Sequence, residues 1–339
     1  WEKAVLPAGL EWKTNDSDPV WSDPEAKTGG TLRDYMGSFP LTLRTLGPDS
    51  NSGIRQYLFS NELGLTDLHP NTLNPIPGLA THWAYGKDQK TIYFKLNPSA
   101  RWSDGVPVTA MDFAFALEMG RSPHIVSPWH NEYYKTKLEK ILIFDDRTLA
   151  IVGGERRSPR EMHRYFAISP RPRHFHKLDA NWVRDYNWKI EPNTGPYLIS
   201  KLEKGKEVVF ERNKDWWAKD MKYHRNRYNY DRVAFTVMRE MDIAYERFKK
   251  GELDTFYITA PNFWHDKAVG PIYDKGYVEK RWFYTDKPIG ATGMWLNSDA
   301  ELFKDKNVRL GFQHAMNVEK MLKSLRRGDY ERMNTDGEG

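Results

Sequence analysis

The sequences Thr91-Ile-Tyr-Phe-Lys-Leu96 and Arg101-Trp-Ser-Asp-Gly-Val-Pro-Val-Thr-Ala-Met-Asp112 decide the fold class. In the first, apolar side chains recur at every second residue, which predicts a half-buried strand. In the second, Ser103-Asp104-Gly105 predicts a turn, and Thr109 with Asp112 three residues later forms the capping-box pattern that begins a helix. A strand, a turn and a helix in this order indicate a mixed α/β protein.

Other segments repeat both kinds of pattern. Ser158, Pro159 and Glu161 form a second explicit helix start, with an N-cap residue, a proline at the first helical position and an acid three residues after the cap. Strands or extended segments are predicted at 31–36, 41–46, 140–144, 148–152, 198–202, 208–211, 233–238, 277–284 and 292–296. Helices are predicted at 54–63 and 243–250 and from Val308 onward, with a break at Asn317.

The composition excludes several classes of protein. The chain has 339 residues, 39% of them hydrophobic, which is enough for two or three domains of ~150 residues and excludes a disordered protein. It has no cysteine, so disulfides and thiolate chemistry are excluded. The longest apolar run, Phe113 to Leu117, is far below the ~18 residues that span a bilayer. The net charge of +5 names no partner, whereas the 14% of aromatic residues suggests that some line a groove for a ligand.

Four local patterns have a functional and a structural interpretation. His174-Phe175-His176 could hold a metal but has no third ligand in reach by sequence, so we interpret both as surface or capping histidines. Asp145-Asp146 is interpreted as a hairpin turn rather than an acid/base pair. The basic run from Arg156 to Lys177 is interpreted as a solvated face, with permease docking as the alternative. Trp216-Trp217 is expected to pack the first domain rather than stack on a ligand.

Three blocks in the chain resemble one protein family. They are Gly78-Leu-Ala-Thr-His-Trp83 with the two segments quoted above, then Asn193-Thr-Gly-Pro-Tyr197 with Glu211-Arg-Asn-Lys-Asp-Trp-Trp217, then Asp231-Arg-Val-Ala-Phe235 with Phe248-Lys-Lys-Gly-Glu-Leu-Asp254, Asn307-Val-Arg309 and Ala315-Met-Asn317. Together they resemble the family 5 extracellular solute-binding proteins of bacterial ABC importers, the peptide and nickel binding group. The run Asn226-Arg-Tyr-Asn-Tyr-Asp231 is most similar to the YejA-like oligopeptide-binding branch.

The resemblance implies a periplasmic binding protein of two lobes, in class II and the type C cluster, with mixed sheets. Its first, ligand-facing domain would combine residues 1–55 with 168–285, and the second would be the inserted segment 56–167. The third would begin at 286 and be incomplete at 339, because family members continue further. The chain begins with Trp1 rather than Met, so a targeting segment is expected to be absent from it.

The resemblance also implies how a ligand would be held. Peptide-binding relatives bind an extended peptide as an added strand, with main-chain hydrogen bonds for affinity and roomy pockets for side chains. The matching segment here is Thr45, Leu46 and Gly47, and its carbonyls and amides are expected to pair with the ligand. Asn51, four residues further on, is also expected to contact the ligand. Asn193, Thr194 and Gly195 are expected either to approach the cleft or to form a purely structural turn.

The function implied is capture of an oligopeptide and its delivery to an inner-membrane ABC permease. The protein is expected to be a monomer, to need no cofactor or metal, and to bind no nucleic acid. The same scaffold binds oligosaccharides, nickel complexes and haem in related groups, so these ligands stay open as alternatives. An enzyme acting on glycans or peptides is the alternative from another class, but no nucleophile with its base is identifiable in the sequence.

Overall fold

The structure is a computed structural model and describes residues 1–166, 168–284 and 293–332. The described chain divides into two compact units, Trp1–Thr255 and Phe256–Gly339. The strands are β1 (Glu2–Lys3), β2 (Thr31–Met36), β3 (Thr66–Leu68), β4 (Pro75–Pro77), β5 (Ala80–Tyr85), β6 (Thr91–Leu96), β7 (Leu138–Asp145), β8 (Thr148–Gly153), β9 (Tyr197–Glu203), β10 (Glu207–Arg212) and β11 (Arg232–Val237). The helices are α1 (Gly53–Ser60), α2 (Ala110–Arg121), α3 (Pro128–Thr136), α4 (Pro159–Tyr165), α5 (Trp182–Asp185), α6 (Met241–Lys249), α7 (Pro271–Asp274), α8 (Glu301–Lys304), α9 (Lys306–Ala315) and α10 (Val318–Ser324), with a π-helical turn at Phe263–Lys267.

The first unit is built on two mixed sheets. One sheet has the strand order β1-β7-β8-β6-β5, in which only β1 and β7 are parallel. The other has the order β2-β11-β10-β9, in which β2 and β11 are parallel. Strands β3 and β4 form a separate antiparallel pair. The predicted mixed α/β architecture is therefore confirmed.

Strand β6 is buried on both faces, so its prediction as a half-buried strand was wrong. Ile92, Phe94 and Leu96 face the largest apolar cluster of the unit. Tyr93, on the opposite face, lies in a second apolar cluster. Residues 10–13, which we call the amino-terminal arm, cover this cluster with Leu10 and Trp12. Lys13 in this arm exchanges backbone hydrogen bonds with Trp83, which holds the arm against the sheet. An arm without regular secondary structure can thus bury a face that alternation alone would expose to water.

The two predicted helix starts have the expected geometry. The side chain of Asp112 accepts from the Thr109 amide at 2.8 Å, and that of Glu161 accepts from the Ser158 amide at 3.0 Å. The predicted hairpin turn joins β7 to β8, but Asp145 is the last residue of β7 and the turn is formed by Asp146 and Arg147. Of the strand predictions, 277–284 was wrong, because these residues form no strand and their aromatic side chains are largely exposed. In the prediction for 292–296, residue 292 lies outside the described residues and 293–296 form no strand.

The largest apolar cluster draws its members from 63–168 and from two residues much later in the chain, Trp216 and Ala218. Trp216 is buried, and its indole nitrogen donates to the Thr194 carbonyl at 2.8 Å. Trp216 therefore packs in a protein core, as expected, and its partners there lie between residues 63 and 168.

The second unit is built from short helices. Asp305 caps the start of α9, because its side chain accepts from the Asn307 amide at 2.7 Å. Asn317 caps α10 in the same manner and so forms the predicted break between two helices. In the described part of the chain, no helix combines the length and the hydropathy needed to cross a bilayer.

Candidate functional site

The candidate site centres on residues 44–48, which we call the rim, in the connection between β2 and α1. Thr45 and Leu46 are 6% and 5% exposed, whereas Gly47 is partly exposed and Asn51 is exposed. Thr45 lines a cavity of about 30 Å³, and Leu46 lines an open cleft of about 250 Å³. Consecutive rim residues thus border two different spaces, a small cavity and a larger open cleft.

The rim consists of bends and the start of a turn and pairs with no strand, and side chains satisfy its carbonyls. Arg44 donates from Nη1 to the Leu46 carbonyl at 2.8 Å and from Nη2 to the Pro48 carbonyl at 2.9 Å. Arg55 donates from Nε to the Thr45 carbonyl at 2.9 Å. The Gly47 carbonyl accepts from the hydroxyl of Ser50 at 2.7 Å. Each carbonyl from Thr45 to Pro48 therefore has a donor from the protein itself.

Unlike its carbonyls, three amides of the rim have no hydrogen-bond partner among the described residues. In the described part of the chain, the amides of Thr45, Leu46 and Gly47 donate to no protein acceptor. A buried amide without a partner costs free energy, so these three amides are available as donors to water or to a ligand. Gly47 has φ of +83°, which places it in the left-handed region that favours glycine.

The loop Asn193–Gly195 lies beside the rim but uses its polar groups within the protein. The Thr194 hydroxyl accepts from the Leu63 amide at 2.9 Å, and the Asn193 side chain accepts from the Gly195 amide at 2.9 Å. Asn193 lines the same small cavity as Thr45. This cavity has room for only about one or two water molecules. The structure therefore places Thr45 and Asn193 together and leaves Asn51 outside the cavity, and ligand contact by this loop stays a prediction.

A buried ionic cluster adjoins the rim and was not predicted from the sequence. Arg171 Nη1 lies 2.9 Å from Glu62 Oε1 and 3.2 Å from Glu191 Oε1. His176 Nε2 lies 3.3 Å from the same Glu191 oxygen, and its side chain is only 1% exposed. The interpretation of His176 as a surface histidine was therefore wrong, because Glu191 holds it in the interior. The cluster joins the segment after α1, the segment at Pro170-Arg171-Pro172 and the segment that leads to Asn193.

The charges of this ionic cluster are unequally compensated. Burial raises the pKa of Glu62 to about 7, although Arg171 opposes the rise, and the charge of Glu191 adds to it. Burial also acts to raise the pKa of Glu191, but Arg171 and His176 outweigh it and lower that pKa to about 2. Glu62 Oε2 has no hydrogen-bond partner among the described residues. One arginine thus serves two carboxylates and compensates Glu191 more fully than Glu62.

A Glu62→Gln variant is expected to change how stability depends on pH. The native pKa of Glu62, about 7, lies above the usual 4.5, so only the native state keeps this proton between these two pH values. The free energy of unfolding of the wild type should therefore fall, relative to the variant, as the pH rises from about 4.5 to about 7, by up to about 3 kcal/mol. Urea denaturation across this range measures it. The exposed Glu139→Gln is the control, and parallel curves for wild type and Glu62→Gln would contradict the assignment.

The open cleft combines aromatic side chains with basic ones. It is lined by Leu46, Phe59, Trp129, His130, Tyr133, Tyr134, Arg164, Ser169 and Arg171. Trp129 and Tyr133 stack with their ring centroids 5.6 Å apart, and Trp129 is 70% exposed. Burial and the nearby Arg55 lower the pKa of His130 to about 4, so at neutral pH its Nε2 accepts from Arg55 Nη2 at 2.8 Å. Such a surface suits a ligand with both apolar and polar parts.

Part of the basic run has structural roles that sequence reasoning missed. Arg157 pairs with Glu155 and Glu161, and Arg171 belongs to the buried cluster, so the run is not uniformly a solvated face. The flanking residues Pro170 and Pro172 were the available signal, since they fix the segment in which Arg171 lies. The partners of Arg171 are distant in sequence and could not be identified. Among the described residues, no group of three or more side chains has the geometry to hold a metal ion.

The comparisons with known proteins identify the family. Residues 74–337 match the family described as "Bacterial extracellular solute-binding proteins, family 5 Middle". This match covers more than half of the chain, so the chain belongs to the family 5 bacterial extracellular solute-binding proteins. The family predicted from the three sequence blocks is confirmed.

Two curated proteins are similar to the chain over nearly its whole length. A putative binding protein of Brucella suis is 27% identical over 333 residues, which cover 94% of this chain and 52% of the relative. The probable peptide-binding protein YejA of Agrobacterium fabrum is 25% identical over 350 residues, which cover 98% of this chain and 55% of the relative. The predicted similarity to the YejA-like branch is confirmed. The chain spans about half the length of the curated relatives it matches.

A solved structure shows the fold. The oligopeptide-binding protein AppA of Bacillus subtilis, determined in complex with a nonapeptide, matches with a TM-score of 0.68 and 19% identity. The match covers 91% of this chain and 58% of AppA. The predicted periplasmic-binding-protein fold is confirmed by this similarity.

Proposed function

We propose that the full-length protein is a periplasmic, non-enzymatic binding component of an ABC importer that captures oligopeptides and delivers them to an inner-membrane permease. In this proposal it acts as a monomer, without a cofactor and without nucleic acid. Its relative YejA is named as a probable peptide-binding protein, and AppA was solved with a bound nonapeptide. Both names support a peptide as the ligand.

One observation in the chain carries this proposal. The amides of Thr45, Leu46 and Gly47 have no acceptor among the described residues, and Leu46 borders the open aromatic cleft. A peptide backbone offers a regular row of carbonyl acceptors whatever its side chains are. An importer that accepts many peptides needs this kind of recognition, because side-chain pockets alone would limit it to a few sequences.

The domain division is part of the same proposal. Residues 1–55 with 168–285 would form the first domain, 56–167 the second, and 286–339 the start of the third. The rim belongs to the first of these domains, whereas Trp129 and Tyr133 belong to the second. Closure of the two domains over the cleft would exclude water from the ligand.

Binding to the full-length protein tests the proposed function. Tetra-alanine at micromolar concentration is expected to raise the melting temperature and to give a titratable heat in calorimetry, because a ligand that binds only the native state stabilises it. Mannohexaose and nickel-histidine are the comparison ligands. A response to either of them with none to peptides would overturn the peptide assignment, and turnover of the peptide would overturn the non-enzymatic assignment.

A Gly47→Ala variant is expected to bind tetra-alanine at least about tenfold more weakly, equivalent to about 1.4 kcal/mol. A Cβ atom at this position would lie 2.7 Å from Arg44 Nη1, and φ of +83° is unfavourable for alanine. Both effects displace the rim. Gly37→Ala is the matched control, since its added Cβ meets no atom within 4 Å. Unchanged affinity in Gly47→Ala would place the ligand elsewhere.

A further inference from the structure

We propose that the rim recognises its ligand only as a hydrogen-bond donor, so that it binds carbonyl or carboxylate oxygens, and that Arg44 and Arg55 are the positioning residues that impose this. The inference rests on the proposed function and defines which ligand atoms the site accepts. It differs from ordinary strand addition, in which the rim would both donate to the ligand and accept from it.

The carbonyls of the rim are already bound. Two arginines and one serine supply donors to the carbonyls of residues 45–48, at distances of 2.7 to 2.9 Å. Hydrogen bonds from a charged donor are stronger than those between neutral groups. A ligand amide could use only the second lone pair of the Thr45 and Leu46 carbonyls, next to a positively charged guanidinium that repels the hydrogen of an N–H donor.

The geometry of Arg44 makes this arrangement rigid. Its residue is 5% exposed, and its guanidinium lies 5.7 Å from the ring centroid of Trp182, above the ring face. One guanidinium bridges two carbonyls two residues apart, Leu46 and Pro48, which fixes the backbone between them. Gly47 lies at this point, where an added Cβ would contact Arg44. The rim conformation therefore depends on Arg44 more than on neighbouring strands.

The charge behind the rim favours an acceptor oxygen. In the described part of the chain, neither Arg44 nor Arg55 forms an ion pair with a carboxylate. Arg55 contacts a neutral imidazole, that of His130, instead. Asp49 is a nearby counter-charge of Arg44, although its effect on the pKa of Arg44 is smaller than that of burial. The two partly buried cations are therefore not fully compensated and create a positive potential at the rim amides, which attracts a carbonyl dipole and, more strongly, a carboxylate.

Amide hydrogen exchange in the full-length protein tests this inference without relying on a known ligand. In the free protein, the amides of residues 45–47 are expected to exchange within minutes, although Thr45 and Leu46 are 6% and 5% exposed, because no protein acceptor holds them. Slow exchange in the free protein would overturn the inference. Addition of saturating tetra-alanine is expected to slow the exchange of at least two of these amides at least tenfold.

Further arms distinguish a failure of the inference from a failure of the proposed function. If no peptide raises the melting temperature, the proposed function fails. The inference is then tested with N-acetylglycine as a carboxylate probe. Protection of the rim amides by this probe supports the inference, and no protection overturns it. If tetra-alanine binds without protecting these amides, only the inference fails. A peptide with a carboxyl-terminal amide that protects them equally well identifies a peptide carbonyl as the bound group, and weaker protection identifies the terminal carboxylate.

An Arg44→Met variant tests the positioning role. It frees the carbonyls of Leu46 and Pro48, so the rim should begin to accept from the ligand. N-methylation of single peptide bonds in tetra-alanine is then expected to cost at least fivefold more affinity in the variant than in the wild type, at one bond at least. Loss of stability alone would weaken all peptides equally. If Arg44→Met does not fold, Arg55→Met makes the same test at the Thr45 carbonyl. The positioning role would be overturned if N-methylation cost the same affinity in both variants as in the wild type.

Discussion

Replacing Arg171 with methionine is expected to lower the free energy of unfolding by about 3–5 kcal/mol. Arg171 is the cation shared by Glu62 and Glu191, and its side chain is only 7% exposed. Without it, Glu191 keeps only His176 as a partner for its buried charge. The pKa of Glu62 rises further, because the arginine that opposes its rise is gone, so Glu62 must keep its proton in the native state. Because Glu62 and Glu191 come from separate segments, the loss should also loosen the contact between the segment after α1 and the segment that leads to Asn193.

Urea denaturation of the full-length protein, followed by tryptophan fluorescence, measures this effect. Arg173→Met is the matched control, since Arg173 is exposed and lies only two residues away. We expect the control to change stability by less than about 0.5 kcal/mol. Equal stability of the two variants would show that the buried ionic cluster contributes little to the native state.

Replacing Gly195 with alanine is expected to destabilise the protein by about 3 kcal/mol or more. A Cβ at this position would lie 1.4 Å from the backbone oxygen of Asn61, which no side-chain rotation can relieve. Movement of either segment would break the two hydrogen bonds between the Asn61 side chain and the Tyr197 backbone, at 2.5 and 2.9 Å. Glycine is therefore required here by the close approach of two backbones.

The Gly195→Ala effect is measured as a fall in melting temperature against Gly37→Ala, whose added Cβ meets no atom within 4 Å. The variant should also lose protection of the Leu63 amide in hydrogen exchange, because this amide donates to the Thr194 hydroxyl. A variant with native melting temperature would show that the two backbones have room to separate.

Local sequence patterns were sufficient for much of the fold. Thr109 with Asp112, and Ser158 with Glu161, predicted two helix starts because a capping box needs only residues close in sequence. Strands β9 and β10, which pair in an antiparallel manner, were likewise predicted at 198–202 and 208–211 from residues close in sequence. The segment 277–284 was predicted wrongly, since residues of strand-forming type give a strand only where another strand pairs with them.

The candidate site was less accessible to sequence reasoning. The resemblance to a family implied that both the carbonyls and the amides of Thr45, Leu46 and Gly47 pair with the ligand. It did not indicate that Arg44 and Arg55 donate to the carbonyls of Leu46 and Thr45. The buried cluster around Arg171 was missed altogether. Its two carboxylates are separated from Arg171 by 109 and 20 residues along the chain, and nothing local in the sequence pairs them.

Photo-crosslinking to the full-length protein tests most directly whether the rim holds a peptide. A tetra-alanine analogue with a diazirine side chain would be bound, irradiated and mapped by mass spectrometry after proteolysis. Attachment to residues 44–48 or to the cleft residues Phe59 and Trp129, with competition by unlabelled tetra-alanine, is the predicted result. Competed attachment confined to residues away from the rim and the cleft would contradict the account.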